Sequence, residues 1–143
     1  NKIPKWFLEA LGVWVSSLNE CNYCVDHHFA GMKRLLGDTP RADAIRVAIE
    51  TRNLDAAPLD VAQKLAMDYA RILTRDPAGL TKDHTIALRN AGYTDGEILE
   101  INQVSAYFSY ANRTVLGLGC STKGDILGLS PNKSDDPDNW NHT

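Results

Sequence analysis

The chain has 143 residues, enough for one domain with a sizeable core. Its make-up, 43% hydrophobic and 23% charged, is that of an ordinary globular protein. A net charge of −3 at pH 7 and a pI near 5.7 give no general case for nucleic-acid or membrane partners, which favour a basic surface, and neither is expected.

No apolar run approaches the ~20 residues of a membrane span, because Glu9 interrupts the most apolar stretch, and no secretory signal is visible. The opening NKIPKWF lacks a methionine, so the expectation is a fragment with some N-terminal chain missing. Helical patterns run almost the whole length. Pro4 suits the first turn of a helix to about Asn19, in which Trp6, Phe7, Leu8, Leu11, Val13, Trp14, Val15 and Leu18 are apolar nearly all round. Such a helix belongs in a core or an oligomer interface. A second helix is predicted from near Cys21 to about Leu36, stopped by Gly37. In DTPRADAIRVAIE, Thr39 falls at the cap and Pro40 at the first helical position.

Leu59, Ala62, Leu65, Ala66, Tyr69, Ile72 and Leu73 recur at three- and four-residue steps, an amphipathic helix closed by Asp76 and Pro77. Thr81 caps a short helix ending at Gly92. Thr94 with Glu97 makes a capping box ahead of a long helix that carries Ile98, Ile101, Val104, Tyr107, Phe108 and Ala111. The pattern dissolves after Gly119. Residues 1–118 are therefore expected to form one all-α domain and 119–143 an extended polar tail, with Trp140 available for docking. No strand-like alternation of useful length and no internal repeat interrupts this.

Three cysteines, Cys21, Cys24 and Cys120, are too few and odd in number for a secreted disulfide framework, so a reducing cytoplasm is the expected compartment. The pair Cys21-x-x-Cys24 has no strand–helix setting of the thioredoxin kind; its chemistry belongs to a helix bundle. At ~3.6 residues per turn, Cys21 and Cys24 lie about 60° apart, His28 falls between them, and His27 points about 60° beyond Cys24. Unpaired N–H groups at a helix start favour a thiolate, and a neighbouring imidazole can take or relay its proton. A second thiol one turn away can condense with a sulfenic acid to give a disulfide.

Glu9 is the only charged residue between Lys5 and Glu20, in the middle of a nearly all-apolar helix. A carboxylate in such a surface rarely lacks a partner, and burial raises a carboxyl pKa, which suits a proton acceptor near neutral pH. If the first two helices pack antiparallel, Glu9 and His28 lie at compatible depths, giving a Glu9–His28–Cys24 relay. Competing readings stay open. The cysteines could be small buried residues, or, with His27 or His28 and a fourth ligand from Cys120 or His84, a zinc site. Glu9 could form a salt bridge to a basic residue of another helix. His27 is expected to be structural or interfacial, His84 and His142 solvated, and Cys120 a packed thiol. Tyr107, Tyr110 and Arg113 fit a core-and-interface stripe or a pocket wall. A haem attachment C-x-x-C-H is absent, with Val25 where the histidine would stand.

Glu9, Cys21, Cys24 and His28 fit the pattern E-x11-C-x2-C-x3-H. With VSSLNECNYCVDHHFAG, the later LRNAGYTDGEILEINQVSAYFSYANRTVLGLG and the tail DDPDNW, the chain resembles the alkylhydroperoxidase D-like (AhpD-like) domain of the carboxymuconolactone decarboxylase superfamily, in its peroxidase-related branch. The resemblance implies an AhpD-like helical bundle assembled as a homo-oligomer (dimer, trimer or hexamer). It implies thiol-dependent reduction of a hydroperoxide, recycled by a dithiol or thiol-protein reductant, with no haem or flavin needed. Carried over, Cys24 is the peroxidatic cysteine, Cys21 resolves it, and Glu9 and His28 relay protons. One position departs: Tyr23 stands where the best-studied alkylhydroperoxidases often carry His. A phenol of pKa near ~10 cannot relay protons as imidazole does, though it can donate a hydrogen bond. The alternative from a different class is a non-enzymatic helical oligomer, redox-sensing or zinc-binding.

Overall fold

The computed structural model describes residues 3–121 and 123. The described residues form six α-helices in order, α1 (Lys5–Leu18), α2 (Asn22–Leu36), α3 (Thr39–Glu50), α4 (Val61–Arg75), α5 (Lys82–Asn90) and α6 (Asp95–Leu118). Two single 3-10 turns, Leu54–Ala56 and Pro77–Gly79, flank α4, and no strand occurs among the described residues. The all-α expectation holds. Beyond residues 119–121 and 123, the expected 119–143 tail lies outside the described residues, as do Trp140 and His142.

The apolar circumference of α1 decides the architecture. Phe7, Ala10, Leu11, Val13, Trp14, Val15 and Leu18 are all buried, because α1 is wrapped by α2, α4 and α6 and touched by α3. Burying one such side chain is worth about 1.5–3 kcal/mol, so this helix is the centre of the core. Trp14 Nε1 donates to the Met67 carbonyl at 2.9 Å and so fixes α1 against α4. Arg52, in the left-handed region at φ 57°, stacks over the Trp14 ring and donates to the Ser17 side chain and carbonyl, closing the corner after α3.

Helix ends mostly follow the sequence signals. Gly37 ends α2 at φ 65°, and capping boxes Asp60–Gln63 and Thr94–Glu97 open α4 and α6. The start of α3 is a correction: Asp38, not Thr39, is the cap, its carboxylate accepting from the Arg41 N–H at 3.0 Å, which moves Pro40 to the second helical position. A carboxylate caps better than a threonine hydroxyl, and Pro tolerates either place because both lack an intrahelical acceptor. In α4 the fully buried face is Ala66, Met67, Tyr69 and Ala70, while Ala62, Leu65, Ile72 and Leu73 are only half-buried. No helix among the described residues is long and apolar enough to cross a membrane.

Candidate functional site

A tight turn joins α1 to α2. Glu20 takes φ 57°, and the Cys21 N–H returns to the Ser16 carbonyl at 2.9 Å. Cys21 is thereby the N-cap of α2, its carbonyl taking the first helical bond from Val25, and Cys24 is the third residue of the helix. Both are free thiols and both are buried, Cys21 completely. The turn reverses the chain, so α2 runs back along α1 and Glu9 meets His28: Nδ1 and Oε2 lie 2.6 Å apart. With the carboxylate ionised, Nδ1–H is the donor and Nε2 is left as the basic nitrogen of the ring.

Two neighbours hold that pair. Gly31 lies beside the Glu9 carboxylate, where an added Cβ would be 3.5 Å from Oε2. The Phe108 ring of α6 meets the His28 ring edge-to-face, centroids 4.5 Å apart. Phe108 reaches that position across Gly12, where any Cβ would overlap the ring. Of the sequence-derived set, Glu9 and His28 are in direct contact, and Cys24 lies beside Cys21. His28 stands one helical turn beyond Cys24 on α2.

No protein-family model and no curated protein matches the chain. Solved structures do. A crystal structure from Silicibacter sp. TM1040, described as an uncharacterized peroxidase-related protein, superposes with a TM-score of 0.76 at 30% identity, over 85% of this chain and 61% of that one. A second, from Ralstonia eutropha JMP134 and described as an alkylhydroperoxidase AhpD core, gives a TM-score of 0.75 at 24% identity, over 90% of this chain and 66% of that one. The chain has the all-α AhpD-like fold of these peroxidase-related proteins. It spans just under two thirds of the length of each of these relatives.

Within this AhpD-like frame the thiol is not simply activated by its helix. Burial pushes Cys24 up to about 12, the neighbouring Cys21 thiol adds to the rise, and the Asn112 side chain, a hydrogen-bond donor, pulls the other way. Desolvation penalises the anion more than the helix start favours it, so the resting thiol keeps its proton.

Asn112 was missed in the sequence. It is fully buried on α6, its Nδ2 donating to Ser16 Oγ at 2.9 Å and its Oδ1 accepting from Asn19 Nδ2 at 3.0 Å. A polar residue in the buried stripe of α6, in register with Ile101, Ser105 and Phe108, is the signal that could have found it. Other expectations change. Cys120 is exposed rather than packed, and His84 Nδ1 accepts from the Thr81 N–H at 3.0 Å as a helix cap. Tyr107 and Tyr110 face outward, and Arg113 donates to the Ser109 carbonyl of its own helix. His27 stacks against Tyr23, centroids 4.7 Å apart. Among the described residues, no three His, Cys, Asp or Glu side chains gather as a metal site would need, so the zinc alternative has no ligand set there.

Proposed function

We propose that the protein is a thiol-dependent peroxidase that reduces a hydroperoxide through the Cys21–Cys24 dithiol. The observation that carries this reading is the 2.6 Å Glu9–His28 pair, whose histidine sits one turn beyond Cys24 on the helix that Cys21 caps, since a peroxidatic thiol needs its proton moved. His28 takes the Cys24 proton, and Glu9 holds the ring and offsets its charge. The Cys24 sulfur attacks one peroxide oxygen: the S–O bond forms, the O–O bond breaks, and the alkoxide leaves as alcohol with the proton held on His28. Cys21 then displaces hydroxide from the sulfenic acid, giving a Cys21–Cys24 disulfide and water. An external dithiol or thiol-protein returns two electrons and two protons by exchange and is itself oxidised. A homo-oligomer in a reducing compartment such as the cytoplasm belongs to the same reading.

The test is stopped-flow consumption of cumene hydroperoxide by pre-reduced, metal-free protein with a dithiol reductant, beside Cys24→Ser. Rapid turnover that Cys24→Ser abolishes is the expected result. Undiminished turnover in that variant would exclude the nucleophilic role. A second reading, a redox switch without turnover, is favoured by the burial that holds the Cys24 thiol at about 12. A single slow oxidation per chain would select it.

A further inference from the structure

The last turn of α1 leads the chain into Cys21, and two other elements hold it. From α6, Asn112 has no exposed surface; its Nδ2 donates to Ser16 Oγ at 2.9 Å and its Oδ1 accepts from Asn19 Nδ2 at 3.0 Å. From the corner after α3, Arg52 donates to the Ser17 hydroxyl at 2.7 Å and to the Ser17 carbonyl at 3.0 Å. The carbonyl of the same Ser16 accepts the Cys21 N–H at 2.9 Å. Between Asn19 and Cys21, Glu20 sits at φ 57°, a conformation that a non-glycine residue keeps only when its surroundings impose it. Released from these bonds, Glu20 would relax and take Cys21 with it. The place of Cys21 matters for its partner, since Cys21 is the N-cap of α2 and Cys24 its third residue. Side chains at those two positions are neighbours, as the capping boxes Asp60–Gln63 and Thr94–Glu97 of this chain show.

We propose that Asn112 is a positioning residue for the dithiol: by bonding Ser16 and Asn19 it fixes the turn that keeps Cys21 at the N-cap, and so favours closure of the Cys21–Cys24 disulfide. This role rests on the proposed peroxidase reading, in which that disulfide forms at each turnover. A disulfide tolerates only a narrow range of separation and torsion, so two thiols held side by side close it more readily than two on a loose turn. The amide suits the task because both of its ends are used. A flipped amide would set Nδ2 against the Asn19 donor, so the network has one arrangement.

The experiment equilibrates reduced protein with oxidised and reduced glutathione at neutral pH and reads the Cys21–Cys24 disulfide by mass spectrometry after acid quenching. In this exchange the two protein thiols give two electrons and two protons to oxidised glutathione, which leaves as two reduced molecules. Asn112→Leu keeps the volume and removes both bonds. Its disulfide equilibrium constant is expected to fall about tenfold, a potential about 30 mV more oxidising. Asn19→Ala, at the α1 cap, removes one bond and should lower the constant by less. Asn102→Ala cuts the bond from α6 to the Tyr69 hydroxyl at 2.8 Å, away from the turn, and should leave the constant unchanged. A wild-type constant in Asn112→Leu, or in Asn19→Ala if the former does not fold, overturns the assignment, as does an equal fall in Asn102→Ala. No peroxide enters this equilibrium. Failure of the peroxidase reading would appear as absent turnover of cumene hydroperoxide with the shift intact, and failure of the Asn112 role as an unshifted constant with turnover intact.

Discussion

Glu9 shows how much one side chain can be asked to do inside an apolar helix. Its carboxylate is mostly shielded, the side chain 14% exposed, and its partner is an imidazole rather than the lysine or arginine a structural ion pair would use. Removing the acceptor while keeping the shape separates the two roles. Glu9→Gln is expected to slow thiol oxidation at neutral pH by roughly a hundredfold and to alter the pH–rate profile. An unchanged profile would reduce Glu9–His28 to a packing contact. Exposed pairs such as Arg71–Asp68 and Arg89–Asp95 are worth little by comparison, because water and salt screen them.

At the scale of elements, the site depends on how closely α6 approaches α1. Gly12 is buried mid-helix, where glycine costs about 1 kcal/mol against alanine. Here that cost is outweighed, since any Cβ would overlap the Phe108 ring that also faces His28. Gly12→Ala should therefore destabilise the protein by about 1–3 kcal/mol through overpacking, despite its better helix propensity. The same change in a Phe108→Leu background should cost less, because the smaller side chain vacates the space. Chemical denaturation of the four proteins checks this. Equal costs in both backgrounds would show that the close approach does not set the stability of this contact.

For the whole molecule, one buried and one half-buried acid shape alkaline behaviour. Burial raises the Cys24 thiol from 9.0 to about 12, and burial with Asp60 and Glu97 nearby raises the Tyr93 phenol from 10.0 to about 12. Both folded-state values lie above the unfolded ones, so the folded protein holds protons that the unfolded chain has released. Their stabilising contribution is complete below about pH 9 and is lost progressively as pH rises from 9 toward 12. Urea midpoints of reduced protein should fall between pH 8.5 and 10.5, less steeply in Cys24→Ala and Tyr93→Phe. A fall equally steep in both variants would show that these groups do not control it.

The sequence by itself determined the all-α class, the burial of α1 and most helix ends, because these follow from helical period and local capping chemistry. Glu9 stood out because a lone charge in an apolar helix demands a partner. That the partner is His28 was decided by the turn at Glu20, which reverses α2 along α1. Asp38 displaced Thr39 as a cap by a local competition that residue preference alone does not rank. The Gly12–Phe108 approach and the Ser16–Asn112–Asn19 network belong to tertiary structure alone, since they join residues some 90 or more positions apart. No periodicity along one helix records which side chain another helix will bring against it. The ionisation of Cys24 is tertiary for the same reason. A helix start favours the thiolate, and only the packed surroundings decide that burial outweighs it.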